Sequence, residues 1–133
     1  ALLQLPLAAI EFGALGGTNF SKLELLRTSS ANAKIYEMLI KVGHTAEEMV
    51  EFINAASMQL GDKVKCSEII VSGGVNGFLD GYYCLEKLQF NAVYAQASAF
   101  LKYAKEDIVL LREYVKTQVD GLALCKNYLT VRA

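Results

Sequence analysis

Three short apolar runs, each ending in a turn of small residues and leading into a helical pattern, constrain this chain more than any other feature. LAAIEFGA (residues 7–14) leads into LGGTNF, EIIVSGG (residues 68–74) into VNGFLDGYY, and NAVYAQAS (residues 91–98) into AFLKYA. Nearly continuous apolar runs separated by helices predict strands of a parallel sheet covered on both faces. At 133 residues the chain has room for one domain. Its hydrophobic content of 53% against 20% charged residues implies extensive burial and excludes a disordered segment of this length.

The helical patterns carry their own punctuation. Ser21 with Glu24, and Thr45 with Glu48, each have the spacing of a capping box at a helix start. Behind the first come Leu23, Leu25 and Leu26, until SSANAK breaks the pattern. Behind the second, Met49, Phe52, Ile53 and Ala56 recur at helical spacing to about Leu60. IYEMLIKVG reads equally as strand or irregular connection. Residues 77–88 form a third helical pattern, with Asp80 in its first turn where a carboxylate suits the helix dipole. Residues 106–128 form a long helix expected to face inward with Ile108, Leu111, Val115, Val119 and Leu122.

Composition narrows the function classes. A net charge of −1 gives no electrostatic footprint for nucleic acid or anionic lipid. No apolar run approaches the roughly 20 residues of a membrane helix. The opening ALLQLPLAAIEFG lacks a basic flank and a cleavage site, so it reads as structure and not as a signal peptide. Cys66, Cys84 and Cys125 are odd in number, without zinc spacing and set among apolar neighbours; with a single histidine, a His-rich metal site is excluded. Buried free thiols imply a reducing compartment, the cytoplasm.

The turn SGGVNG poses the functional question. Three glycines in five residues, Gly73, Gly74 and Gly77, make either a tight turn or a place where a phosphate meets bare backbone N–H groups at a helix start. Gly16, Gly17 and Thr18 make a second such turn, and Ala95 and Ala97 leave a third strand end approachable. Three successive strand ends built of small residues suit a ligand lying across the carboxyl edge of a parallel sheet. In (β/α)8 barrels a phosphate sits at the last two of these loops.

LPLAAIEFGALGGTNF, VGHTAEEMVEFI, IIVSGGVNGFLDG and AVYAQASAFL, in this order and spacing, resemble the carboxyl-terminal part of the type 2 isopentenyl-diphosphate isomerases. The resemblance spans nearly the whole chain. It implies parallel βα units forming the C-terminal portion of an FMN-binding (β/α)8 (TIM) barrel, about the last three units plus a C-terminal helix. It implies an isomerase interconverting isopentenyl and dimethylallyl diphosphate in isoprenoid biosynthesis, with FMN, NADPH and Mg²⁺, and a homo-oligomer or a missing amino-terminal half as partner. The flavin phosphate would meet Ser72, Gly73, Gly74, Val75 and Asn76 and the small strand end at Gln96 and Ala97, and Thr18 would touch the flavin. Asn76 stands where the family usually has arginine, which shifts phosphate binding onto backbone N–H groups. Phe78 replaces a glycine, Gly13 a serine, and AQAS a segment that commonly carries proline. The family's substrate-gripping cations, flavin-contacting lysine, glutamine and Mg²⁺ carboxylate belong to the amino-terminal half, so no catalytic or metal residue is expected here.

Other residues invite plainer readings. His44 precedes a helix cap and reads as a loop histidine, although imidazole is the usual acid–base group near neutral pH. Glu11 lies inside an apolar strand, facing a barrel mouth or paired with a lysine. Tyr82 and Tyr83 read as packing groups with their hydroxyls at the edge. Three strands with open edges make a poor free-standing sheet, so it is completed by another chain or belongs to a larger whole. The start at Ala1 points the same way, though methionine removal would look identical. Two further alternatives are a half-barrel interaction module without cofactor and a different FMN-dependent barrel oxidoreductase.

Overall fold

The computed structural model describes residues 1–27 and 37–132. Among these the three apolar runs form β1 (Ala9–Gly13), β2 (Glu68–Ser72) and β3 (Asn91–Ala95), shorter at their ends than the apolar runs. They make a parallel sheet in the order β1-β2-β3, each strand beside its sequence neighbour. Among the described residues five α-helices follow the predicted order: α1 (Phe20–Arg27), α2 (Ala46–Leu60), α3 (Phe78–Lys87), α4 (Ser98–Glu106) and α5 (Ile108–Tyr128). The chain is thus an α/β protein built on a small parallel sheet. No helix among the described residues is long and apolar enough to cross a membrane.

Among the described residues only one face of the sheet is covered, against the expectation of two. Because side chains alternate along a strand, the register lines up Ile10, Ile69 and Ala92, then Phe12, Val71 and Tyr94, on a single face. That face packs against Val50, Met49 and Ile53 of α2 and Cys84 and Leu85 of α3; Ile69, Val71 and Val50 are almost wholly buried. The opposite face carries the row Glu11, Ile70 and Val93, with Val93 60% exposed. No element among the described residues lies over it. The strands read as doubly apolar because both faces are rich in apolar residues; which face is covered depends on the helices.

The local signals divide. Thr45 caps α2 as predicted, its hydroxyl accepting from the Glu48 N–H at 3.2 Å while the Glu48 carboxylate accepts from the Thr45 N–H at 2.8 Å. Ser21, with the same spacing, is not a cap. α1 begins one residue earlier, and the Asn19 side chain accepts from the Lys22 N–H at 2.9 Å while donating to the Ile40 carbonyl at 2.7 Å. Asparagine caps as well as serine, and this one is also tied across the chain. Residues 37–41 of the ambiguous segment form a 3-10 turn, Glu37–Lys41. Ile35, Tyr36 and the SSANAK break lie outside the described residues.

α5 also turns differently from its apolar pattern. Its buried positions are Gln118, Gly121 and Cys125, with Tyr114 and Leu122 half-buried, while Ile108 and Val119 are more than half exposed. Large groups already fill the space beneath: the Phe78 ring lies where a side chain at position 121 would go, and the Tyr94 hydroxyl donates to Gln118 Oε1 at 3.3 Å. Tyr82 is buried with its hydroxyl donating to the Leu129 carbonyl at 2.8 Å, a packing group with its polar tip at the edge. The first residues are indeed structure, since the Leu3 carbonyl accepts from the N–H groups of Lys65 and Cys66.

Candidate functional site

Parallel strands deliver their following loops to one edge of the sheet, and here the three turns of small residues meet. Thr18, Ser72, Gly73, Gly74, Val75, Asn76, Gln96 and Ala97, all eight residues singled out from the sequence, line one cavity of about 490 Å³. Gly16, Gly17 and Ala95 of the same turns line it too, and Glu11, Ser98 and Leu101 complete its wall. Sequence reasoning left Glu11 open and passed over Ser98 and Leu101, whose only signal was their place in the first turn of the helix after β3.

The turn after β1 is tied through backbone to the end of β2 and to the loop before α2. The Ala14 N–H donates to the Ser72 carbonyl at 2.9 Å, and the Leu15 N–H to the His44 carbonyl at 2.8 Å. Gly73 and Gly74 have φ of +89° and +72°, and a Cβ on either would fall 2.3 Å from the Ala14 oxygen or 2.5 Å from the Leu15 oxygen. Only glycine allows both the left-handed backbone and this approach. Gly77 differs, with extended backbone and nothing within 4 Å of its Cβ position.

Hydrogen bonding within the turn is uneven. The Asp80 carboxylate accepts from the Asn76 N–H at 3.0 Å and from Asn76 Nδ2 at 3.3 Å, and Asn76 Nδ2 donates to the Gly74 carbonyl at 3.0 Å. Gln96 Nε2 donates to the Val75 carbonyl at 3.0 Å, and Gln96 Oε1 accepts from the Tyr114 hydroxyl at 2.9 Å. The N–H groups of Gly73, Gly74 and Val75 have no partner among the described residues. Three consecutive donors without a partner among the described residues, close before a helix start, have the form that suits an anion. The hydroxyls of Thr18, Ser72 and Ser98 add donors on the same wall.

Among the described residues Glu11 is the only charged side chain of the wall. It is exposed, and no lysine among the described residues pairs with it. An anion bound there would be held by N–H and O–H groups, with the Glu11 carboxylate suited to an N–H or O–H of the same ligand.

Other candidate groups stand apart. The His44 side chain lies 3.9 Å from Glu48 and edge-on to the Phe52 ring at 4.9 Å, outside this cavity, as a loop histidine. The three cysteines are free and buried. Burial, with Glu47 and Asp80 nearby, pushes the Cys84 thiol up to about 11, which leaves it a packing group and not a nucleophile. No cluster of His, Cys, Asp or Glu able to hold a metal occurs among the described residues.

No protein-family model, curated protein or solved structure matches the chain.

Proposed function

We propose that the chain binds FMN through its phosphate at the carboxyl edge of the sheet, as the C-terminal portion of a (β/α)8-barrel isomerase acting on isopentenyl and dimethylallyl diphosphate. The observation that carries this reading is the convergence of all eight expected residues on one cavity whose Gly73–Val75 stretch holds three free N–H donors. A volume near 490 Å³ lies within the roughly 300–1,000 Å³ of small-molecule sites. The donor set fits a phosphate without a cation: Asn76 uses its amide to hold the turn, leaving the contact to backbone N–H and hydroxyl groups.

Bound flavin would supply proton transfer at the substrate double bond, reduced by NADPH and assisted by Mg²⁺. This chain's residues would do the holding. Gly73, Gly74 and Val75 would donate to the phosphate, Ser72 and Gln96 would flank it, and Thr18 would donate toward the ring system. Glu11 would accept from the ligand's N–H or O–H groups. The open row Glu11, Ile70 and Val93 supports the barrel part of the reading, because in a closed barrel this face turns inward onto other side chains.

Titration of the protein with FMN, with riboflavin as the control, tests it. FMN is expected to bind at least tenfold more tightly than riboflavin, a difference of about 1.4 kcal/mol carried by the phosphate contacts. Equal or negligible binding of both would sink the reading and leave the locked turns as the framework of an interaction module.

A further inference from the structure

The turn that bears the free N–H groups is braced from the last helix. Tyr114, on α5, lies eighteen positions beyond Gln96 in sequence, yet its hydroxyl donates to Gln96 Oε1 at 2.9 Å. The Val75 carbonyl, which can only accept, sets the orientation of the Gln96 amide, and the Tyr114 hydroxyl holds its oxygen end in place. Nε2 then donates to the Val75 carbonyl at 3.0 Å, whereas the reversed amide would set oxygen against oxygen. Asp80 holds the other side of the same peptide through the Asn76 N–H.

The preceding peptide is pinned as well, its Gly74 oxygen held by Asn76 Nδ2. A trans peptide points its N–H opposite its C=O, so the Val75 N–H has a set direction. Tyr114 is itself fixed, stacked on Tyr103 at 4.5 Å between ring centroids and edge-on to Phe100 at 5.4 Å.

We infer that Tyr114 is a positioning residue for the phosphate cradle, acting through Gln96 to hold the Val75–Asn76 peptide so that the donors of Gly73–Val75 are ordered before ligand arrives. Donors fixed in advance spare the complex the ordering that would otherwise weaken it. The inference rests on the FMN reading above and adds to it a residue that never touches the ligand.

Tyr114→Phe removes the hydroxyl and keeps the ring on Tyr103 and Phe100. FMN and riboflavin titrations, followed by flavin fluorescence, are compared in the wild-type protein, Tyr114→Phe, Gln96→Leu and the double variant. Loss of one hydrogen bond is expected to weaken FMN on the order of fivefold in Tyr114→Phe, with riboflavin unchanged. The double variant should bind FMN no more weakly than Gln96→Leu alone, since both act on one link.

Equal weakening of both flavins, or additive losses in the double variant, would make Tyr114 a merely structural residue and overturn the inference. Unchanged FMN affinity in Tyr114→Phe would overturn it while leaving the FMN reading standing. A wild-type protein that does not distinguish FMN from riboflavin would overturn both.

Discussion

Gly73 and Gly77 stand four positions apart in one turn and are glycines for different reasons. Gly73 sits at φ +89° with the Ala14 backbone where a Cβ would be; Gly77 is extended and meets nothing. Gly73→Ala is therefore expected to cost at least about 2 kcal/mol in denaturant unfolding, from left-handed strain and backbone displacement together. Gly77→Ser, which places a capping side chain before α3, is expected to change stability by less than about 1 kcal/mol, and in the favourable direction. Equal losses at both positions would contradict the division. The glycines mark the turn in the sequence, but the cause at Gly73 and Gly74 is the neighbouring turn, a contact spanning nearly sixty positions. Asn76 was likewise visible only as a missing arginine; its bonds to Gly74 and Asp80 depend on the folded turn.

Elements were legible where the signal is local and obscure where a partner decides. Two identical Ser/Thr-x-x-Glu patterns gave one cap, at Thr45, and one failure, at Ser21, because Asn19 caps α1 and is tied to Ile40. The existence and order of the strands and of α2, α3 and α5 followed from apolar periodicity. The inward face of α5 did not, since Phe78 and Tyr94 require small or polar groups at 121 and 118. The Thr45 box makes two predictions for α2. Thr45→Ala should lower stability by about 1 kcal/mol. The Glu48 carboxyl is held below the usual glutamate range chiefly by the Thr45 N–H. A carboxyl whose folded pKa is depressed stabilises fully above its unfolded pKa, near ~4.3, and loses that contribution as pH falls through the folded value. Glu48→Gln should flatten this acid limb of the stability profile while leaving the neutral-pH shape otherwise intact; an unaltered acid limb would show that the box does not couple to global unfolding.

At the scale of the whole molecule, the surface is too large for its mass. The chain exposes 9573 Å² at 14.6 kDa, whereas a compact monomer of that mass exposes about 6,900 Å². The sheet contributes an open face, the row Glu11, Ile70 and Val93, and two open edges, since among the described residues β1 and β3 each have one neighbour. Unpaired parallel edges and an apolar face drive association. Dissolved by itself, the chain is expected to scatter light with a mass above 14.6 kDa, increasingly so with concentration. Val93→Lys puts a cation on the open face, 60% exposed already, without touching the packed side formed by Ile69, Val71 and Tyr94. It should therefore move the mass toward the monomer while leaving thermal stability at low concentration nearly unchanged. A wild-type chain that stays monomeric, with Val93→Lys indistinguishable from it, would mean that the open face is content in water. The barrel would then lose the support it draws from that face, and the cavity at the strand ends would have to be judged by flavin binding alone.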